Sequence, residues 1–352
     1  MATDVRDVDQ KQKLDENLLA GKFTPALPEG GEVVSVTPSG MSDYCNTYRI
    51  EVRLPDGSSQ VFFEKEGSGE EGYGCVQSAW VSENAMYEFI PEHVPRPVAM
   101  GTYKSRPDKH FFLAEFVELI EDDIPREKSY MEAIAALHSR SMGKSPTGKF
   151  GFPVNTRFGN IEQDNTWSDS WEEFWTRQMK DFLDKEDAAH NGEPHEELER
   201  LRPLFFEKVL PRYLRPLESD GRSITPCLIH ADLWPGNVKY QSDGETACVY
   251  DACAMWAHNE ADLGVIRNPR YPLGKPYLKE YWKRVPISEP EEDVDSRNTL
   301  YMLRCQILLS TLYPHDPKLR EIFVSNMRLL VERVLEEEAA KKNPPGPAQS
   351  RL

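Results

Sequence analysis

Residues 230–237 read HADLWPGN and place Asp232 two residues after a histidine and Asn237 five residues after that aspartate. A tryptophan, a proline and a glycine stand between the two polar residues. Such spacing either fixes side chains around a bound group or satisfies the backbone of a local turn. The neighbouring sequence decides between these two interpretations.

The pattern His-x-Asp-x-x-x-x-Asn has the spacing of the catalytic loop in protein kinases. In that loop the aspartate accepts the proton of the substrate hydroxyl and the asparagine holds magnesium, which predicts a base at Asp232 and a metal ligand at Asn237. A further carboxylate, Asp251, ends the apolar stretch ACVYD 14 residues beyond Asn237. Kinase chemistry requires a second carboxylate to bridge magnesium to the nucleotide phosphates. The three residues together favour a Mg-ATP site over a chance turn.

Residues nearer the N-terminus supply candidates for holding the ATP phosphates. Lys65 ends the predicted strand QVFFEK, and Glu83 lies on the predicted helix that follows, an order that predicts a Lys–Glu ion pair of the kinase type. Glu88 on the same helix is the alternative partner. The turn TPSGMSDYC contains Ser39 and Gly40, whose small size permits a close approach of backbone to phosphates. This turn matches neither GxGxxG nor a Walker loop.

Composition restricts the class of protein. The 352 residues carry a formal charge of −17, from 42 basic and 59 acidic residues, which argues against a nucleic-acid partner. Six cysteines lack a CxxC pair or regular spacing, as expected for reduced cytosolic thiols. The N-terminal segment has no apolar signal core, and no run approaches the ~18 apolar residues of a membrane span. We therefore expect a cytoplasmic protein without a membrane partner.

The pattern of apolar residues divides the chain into segments. Residues 1–30 predict a short helix and linker, and residues 31–120 predict a small α+β lobe: an antiparallel sheet with one main helix from about Gln77 to Ile90. Residues 121–335 predict a larger, mostly helical lobe with short strands around PCLIH, NVKY and TACVYD. Two capping boxes within it predict helix starts, one at Ser129 with Glu132 and one at Ser170 with Glu173. Residues 336–352 are expected to end in a flexible tail.

Three stretches carry a resemblance to a known family: HADLWPGN, FGFPVNTRFGNIEQDNTWSDSWEEFW and YDACAMWAHNEADLG. They resemble the fructosamine-3-kinase (ketosamine-3-kinase) family, a branch of the aminoglycoside phosphotransferase-like group, over about residues 31–335. The resemblance implies a bilobal protein-kinase-like fold and ATP-dependent phosphorylation of the sugar 3-hydroxyl of ketosamines. The acceptors would be ribulosamine, psicosamine or fructosamine adducts on glycated lysines of proteins, or small ketosamines. The phosphorylated adduct would then break down and free the amine.

The same resemblance implies individual roles. Asp232 would accept the proton, Asn237 and Asp251 would hold Mg²⁺, and Lys65 would contact phosphates. The adenine hinge would be formed by Glu115, Phe116 and Val117. Trp234 is either a wall of the sugar pocket, because an aromatic face packs against the apolar side of a sugar, or a core tryptophan that anchors the loop.

Two positions depart from the family pattern. Ala231 stands where the family commonly has glycine, and Cys45 lies a few residues late for the oxidation-sensitive cysteine of the phosphate loop, which argues against redox control. Four polar residues are expected to be structural supports of the catalytic loop rather than substrate contacts: His230, His258, Glu260 and Asp262.

Other functions remain open from the sequence. A choline- or aminoglycoside-type kinase would keep every residue named above and differ only in its acceptor pocket. A pseudokinase would need a broken site, whereas a hydrolase could use Asp232 and Asp251 as paired carboxylates without ATP. The sequence does not choose between ribulosamine, psicosamine and fructosamine, between free amino acid and protein, or between oligomeric states.

Overall fold

A five-stranded antiparallel sheet builds the N-terminal part of the computed structural model, which describes residues 27–40, 44–103, 106–120 and 124–342. The strands follow the order β1-β2-β3-β5-β4. Their bounds are β1 Glu32–Pro38, β2 Asn46–Arg53, β3 Ser59–Ser68, β4 Pro97–Thr102 and β5 Lys109–Glu115. The sequence predicted these strands. The predicted helix lies before residue 27, outside the described residues. Of the predicted tail, 336–352, residues 336–342 (EEEAAKK) instead continue the last helix, because they are strong helix formers, and the rest lies outside the described residues.

Alternation of apolar and polar residues explains why β2 forms and which way it faces. Ile50 and Val52 are fully buried under the sheet, whereas Arg49 and Arg53 point to the other side. Each fully buried side chain of this size contributes about 1.5–3 kcal/mol relative to an exposed one. The turn PDG closes the β2–β3 hairpin at Gly57, whose φ of 85° suits glycine.

One long helix, α1 (Gly69–Phe89), packs across this sheet and begins eight residues earlier than the predicted start at Gln77. Glycines in GEEGYG weaken the helical signal of the sequence, and packing overrides it. A Cβ on Gly72 would lie 2.4 Å from the carbonyl carbon of Gly67, so the first helical turn rests directly on the backbone of β3. The close approach fixes α1 against the strand that carries Lys65.

Helices dominate the rest of the described chain and enclose its larger hydrophobic core. The helices are α2 Glu127–Ser141, α3 Trp171–Ala189, α4 Glu196–Leu204, α5 Leu210–Leu214, α6 Asn259–Asp262, α7 Lys275–Trp282, α8 Val294–Leu312 and α9 Pro317–Lys342. Together with the sheet, they confirm the predicted α+β class. None of the helices in the described ranges is long and apolar enough to cross a membrane.

The two predicted capping boxes have different outcomes. The Ser170 side chain caps α3 by accepting a hydrogen bond from the backbone N–H of Glu173, as predicted. The prediction at Ser129 is wrong, because α2 already begins at Glu127. The N–H of Tyr130 donates to the carbonyl of Arg126 and closes the first turn around Ser129.

Seven further short strands follow β5 in the described part of the chain, and three of them, β9, β10 and β11, were predicted by the sequence around PCLIH, NVKY and TACVYD. They are β6 Leu119–Ile120, β7 Arg157–Phe158, β8 Ile161–Glu162, β9 Cys227–Ile229, β10 Val238–Gln241, β11 Ala247–Val249 and β12 Met255–Ala257. β10 pairs with β11 on one side and β6 on the other, and β9 pairs with β12. The loops that follow β9 and β11 carry the motif residues.

Candidate active site

A cleft of about 420 Å³ lies between the sheet with α1 and the helical part. It brings together predicted residues that are far apart in sequence. Its lining includes Tyr44, Cys45, Lys65, Cys75, Ser78, Ala79, Arg157, Phe158, Gly159, Asp232, Trp234, Asn237, Asp251, Ala252, Arg270, Tyr271, Leu309, Leu312 and Tyr313. The cleft is therefore the candidate active site.

Asp262 holds the loop that presents Asp232. Its carboxylate accepts hydrogen bonds from the backbone N–H groups of His230 (2.9 Å) and Ala231 (2.7 Å) and contacts Nε2 of His138 at 3.0 Å. Ala231 has a φ of 66°, a left-handed conformation that costs a non-glycine residue about 1–2 kcal/mol. The buried carboxylate stabilises this strained turn, so the predicted supporting role of Asp262 is confirmed.

His230 is a structural residue, as predicted. Its Nδ1 accepts from the backbone N–H of Asp232 at 3.2 Å, and its Nε2 lies 3.0 Å from the carbonyl of Tyr250, to which it can donate. Burial lowers the pKa of His230, with the charge of Asp262 opposing that shift. A neutral imidazole therefore links the two loops and has no lone pair left for proton transfer.

Asn237 orients the carboxylate of Asp232. The Nδ2 group donates to Oδ2 of Asp232 at 3.0 Å and to its carbonyl at 2.9 Å, across the short turn Pro235–Asn237. Burial raises the pKa of Asp232 to about 7; the charge of Arg304 opposes this and that of Asp251 adds to it. A general base works best with a pKa near the operating pH, so this value suits the predicted role.

Asp251 lies two residues beyond the end of β11, in a left-handed conformation with a φ of 57°. Its carboxylate accepts from Nζ of Lys65 at 2.5 Å, and its side chain is 46% exposed toward the cleft. Burial acts to lower the pKa of Lys65, but the charge and hydrogen bond of Asp251, together with the neighbouring Cys45 and Glu83, outweigh it and the net shift is upward. Lys65 is therefore a fixed cation at the site.

The predicted ion pair between Lys65 and Glu83 is wrong for this structure. Lys65 pairs with Asp251, and Glu83 instead accepts a hydrogen bond from the backbone N–H of Asp251 at 2.8 Å. Burial and the nearby charge of Asp251 raise the pKa of Glu83 to about 8, against the opposing hydrogen bond from the Asp251 N–H and the charge of Lys65. Glu83 is thus largely protonated at neutral pH and supports Asp251. Glu88, the alternative partner, is exposed on α1.

Two groups of predicted ATP-binding residues lie outside the lining of the cleft. Ser39 and Gly40 follow β1, where the N–H of Ser39 donates to the carbonyl of Thr47 at 3.0 Å. The tip of this turn, residues 41–43, lies outside the described residues. The described part of the turn thus carries an ordinary hairpin hydrogen bond.

The predicted adenine hinge follows β5. The N–H of Glu115 donates to the carbonyl of Arg96 at 2.9 Å and that of Phe116 to the carbonyl of Val61 at 3.0 Å. These two donors are engaged within the protein. An adenine ring could therefore use only the N–H of Val117 or the carbonyl oxygens of the segment.

Trp234 is not a core tryptophan. Its side chain is 40% exposed, lines the cleft and lies over Gly236, where a Cβ would collide with the indole ring. The indole packs against the ring of Tyr271, with ring centroids 6.1 Å apart and planes tilted by 35°. The two rings form a continuous aromatic wall beside Asp232.

Sequence reasoning missed the support that α8 gives to the catalytic loop. Arg304 donates from Nη1 to the carbonyl of Ala231 at 2.7 Å and from Nη2 to Gln163. Tyr130 of α2 adds a hydrogen bond from its hydroxyl to the carbonyl of Leu233 at 2.8 Å. An arginine inside the apolar run LYMLRCQILL was the available signal, because a buried arginine needs partners.

His258 and Glu260 are structural, but they do not hold the catalytic loop as predicted. Glu260 forms a buried ion pair with Arg297 of α8, 2.8 Å from Nε. Nδ1 of His258 lies 2.8 Å from the hydroxyl of Tyr301, also on α8. Both residues fasten the chain after β12 to that helix, because α8 passes directly beneath them.

The donor set fits Mg²⁺. Asn237 and Asp251 lie side by side, with Nδ2 of Asn237 3.4 Å from the carbonyl of Asp251, and both offer hard oxygen atoms. Among the described residues, no three or more His, Cys, Asp or Glu side chains are grouped to hold a metal by themselves. Mg²⁺ commonly binds one or two protein ligands together with substrate phosphates, so a pair of ligands suffices.

Comparisons with known proteins agree with this geometry. The family model described as Fructosamine kinase matches residues 48–316, more than half of the chain. A chloroplastic protein-ribulosamine 3-kinase of Arabidopsis thaliana is 30% identical over 225 residues, or 62% of this chain. The alignments cover 61% of that relative and 65% of its counterpart in Oryza sativa subsp. indica, less than two thirds of either protein.

Solved structures show the fold. A proposed fructosamine-3-kinase from Thermobifida fusca has a TM-score of 0.64 at 23% identity and covers 86% of this chain and 95% of that one. A thermostable mutant of an aminoglycoside phosphotransferase, in ternary complex with AMP-PNP and hygromycin B, has a TM-score of 0.58 at 14% identity. That match covers 93% of this chain and 98% of the other. The predicted protein-kinase-like fold is confirmed.

Proposed function

Because the chain belongs to the fructosamine kinase family, we propose that it is an ATP-dependent kinase that phosphorylates the sugar 3-hydroxyl of ketosamines. The proposed acceptors are ribulosamine or fructosamine adducts of lysine, either free or within proteins. Decay of the phosphorylated adduct would release the amine and so reverse glycation.

One observation carries the proposal: Asp232 shares one cleft with the metal-ligand pair and the aromatic wall. Asn237 and Asp251, Trp234 and Tyr271 all line this cleft, and Asn237 is hydrogen-bonded to Asp232 itself. A phosphate donor and a sugar bound in this cleft could therefore both reach the same carboxylate. A polyol hydroxyl beside Asp232 would then be the phosphate acceptor.

The residues divide the chemical work. Asp232 takes the proton of the attacking hydroxyl onto its carboxylate, and the hydrogen bond from Asn237 keeps that carboxylate aimed at the hydroxyl. Lys65 offers a fixed positive charge to the phosphates, and Glu83 holds the backbone of Asp251 in place. Mg-ATP, when bound, supplies the phosphoryl group and neutralises charge that develops during transfer.

The Lys65–Asp251 ion pair has a consequence for nucleotide binding. Phosphates compete with Asp251 for Lys65, whereas Mg²⁺ competes with Lys65 for Asp251. When nucleotide and Mg²⁺ bind together, the Lys65–Asp251 ion pair is replaced by contacts of Lys65 with phosphate and of Asp251 with Mg²⁺. Binding of either ligand breaks the ion pair that the other must also break. Nucleotide and magnesium should therefore bind with positive coupling.

The test is phosphate transfer from ATP to a panel of acceptors, followed by product mass. We expect transfer to fructosamine and ribulosamine adducts of lysine and little to choline or an aminoglycoside. Asp232→Asn should fold and bind Mg-ATP but lose transfer by about 10²–10⁴-fold, because the base is removed while the metal ligands stay. Transfer to choline or the aminoglycoside alone would replace the proposal with the alternative small-molecule kinase. Near-full turnover of Asp232→Asn would refute the assignment of the base.

A further inference from the structure

Arg270 and Tyr271 form one corner of the cleft lining, on the loop that follows the short helical turn Leu263–Arg267. Asn268, which is buried, pins this corner: its Oδ1 accepts from the N–H of Arg270 at 3.1 Å, and its carbonyl accepts from the N–H of Tyr271 at 3.0 Å. These hydrogen bonds fix the backbone of Arg270 at the cleft.

Arg270 is an exposed cation without an ion pair in the described part of the chain. Within the described ranges, no Asp or Glu oxygen forms an ion pair with its guanidinium, although the chain has 59 acidic residues against 42 basic ones. Arg267, three positions earlier, shows the usual arrangement and pairs with Asp295 at 2.6 Å. Burial raises the pKa of Tyr271, and the neighbouring charge of Arg270 opposes that shift.

Arg270 adjoins the aromatic wall. The next residue, Tyr271, packs on Trp234, and all three residues line the cleft. The cation suited to nucleotide phosphates, Lys65, is bonded to Asp251. A ligand group that meets Arg270 would therefore be part of the acceptor.

We propose that Arg270 binds a carboxylate carried by the amine portion of the acceptor, so that the preferred substrates are ketosamines of amino acids with a free carboxylate. The inference rests on the proposed function and specifies its substrate class. Asp232 and Asp251 would repel an anionic acceptor, and the guanidinium of Arg270, which lines the same cleft, would offset this repulsion. A planar guanidinium also matches a carboxylate with two parallel hydrogen bonds, which a neutral carboxamide cannot accept in the same way.

The experiment compares two acceptors that share one sugar. Fructosyl-glycine carries a free carboxylate, and fructosyl-glycinamide replaces it with a neutral amide. We expect kcat/KM of the wild-type protein to be about tenfold or more higher for the acid, since hydrogen bonds between charged groups are the stronger kind. Arg270→Gln should bring this acid-to-amide ratio close to one while the KM for ATP stays unchanged.

Arg267→Gln is the matched control, because it removes the same charge three positions earlier, at the end of the preceding helical turn, where the side chain does not line the cleft. It should keep the wild-type ratio. Arg270→Lys preserves the charge but not the planar geometry and should give an intermediate acid-to-amide ratio. This variant keeps the test valid if Arg270→Gln folds poorly.

The outcomes separate the two proposals. Equal kcat/KM for acid and amide in the wild-type protein would overturn the role of Arg270 and leave the ketosamine kinase proposal standing. An acid-to-amide ratio that stays at the wild-type value in both Arg270→Gln and Arg270→Lys would also overturn the role of Arg270. Transfer to neither acceptor, nor to the lysine adducts, would overturn the proposed function itself.

Discussion

At the residue scale, the tryptophan between Asp232 and Asn237 has its explanation in the cleft. Trp234 is 40% exposed and packs on Tyr271, so little core packing depends on it. We predict that Trp234→His raises the KM for a ketosamine severalfold, because apolar contact with the sugar is lost. The melting temperature and the KM for ATP should remain close to wild type. A large loss of thermal stability with an unchanged ketosamine KM would instead restore the loop-anchor interpretation.

Glu83 gives a second prediction at this scale, because its raised pKa, about 8, makes the neutral form dominant at pH 7. Glu83→Gln keeps an oxygen to accept the N–H of Asp251, so we expect turnover within about tenfold of wild type. Glu83→Ala leaves that buried N–H without its acceptor, which costs roughly 1–3 kcal/mol, and should lower turnover much further.

Steady-state kinetics of both Glu83 variants, with Glu88→Ala on the exposed face of α1 as the control, measures the difference. Glu88→Ala should match wild type. Equal damage from Glu83→Gln and Glu83→Ala would mean that the negative charge of Glu83, rather than its hydrogen bond, supports the site.

At the element scale, the position of α1 depends on a contact between two glycines. Gly72 of the helix and Gly67 of β3 approach so closely that a Cβ at position 72 meets backbone that cannot rotate away. We predict that Gly72→Ala destabilises the protein by about 1–3 kcal/mol, as overpacking does, despite the better helix propensity of alanine.

Denaturant unfolding measures this effect, with Glu71→Ala at the neighbouring exposed position as the control. Because α1 also carries Glu83, Gly72→Ala should lower turnover, whereas Glu71→Ala should change neither property appreciably. A Gly72→Ala protein as stable as wild type would show that α1 can move off β3 without cost.

At the scale of the whole molecule, His258 links stability to pH. It is buried between the chain after β12 and α8, and burial lowers its pKa to about 4; Glu260 opposes the shift, and Arg297 and His138 reinforce it. An unfolded chain binds the proton near pH 6.5, whereas the folded protein resists it until about pH 4. The contribution of neutral His258 to the free energy of unfolding is therefore complete above pH 6.5 and is lost as the pH falls toward 4.

We predict that this residue accounts for about 3 kcal/mol of the loss in unfolding free energy between pH 6.5 and 4. The measurement is the difference between wild-type and His258→Gln unfolding curves across that range. The variant, which cannot titrate there, should show the smaller decline. Parallel curves would assign the acid sensitivity to other groups.

Residue order was enough to identify the family and to predict the chemical character of the candidate site. Motif spacing alone singles out Asp232, Asn237 and Asp251 as candidates, because a catalytic loop places its polar residues at fixed offsets along one short segment. The resemblance to the fructosamine kinase family is confirmed. The predicted strands of the sheet are confirmed as well, because apolar and polar residues alternate along them in the sequence.

Which groups pair across the cleft depends on how distant segments of the chain pack together. Lys65 and Asp251 are 186 positions apart, and Arg304 reaches Ala231 from 73 positions away. Sequence order suggested Glu83 for Lys65, but the energies of charges depend on distance and burial, and both are set by how α1 packs on β3. The close contact of Gly67 with Gly72 also fixed the start of that helix, which local propensity had placed eight residues too late, because packing outweighs the weak preferences of single residues.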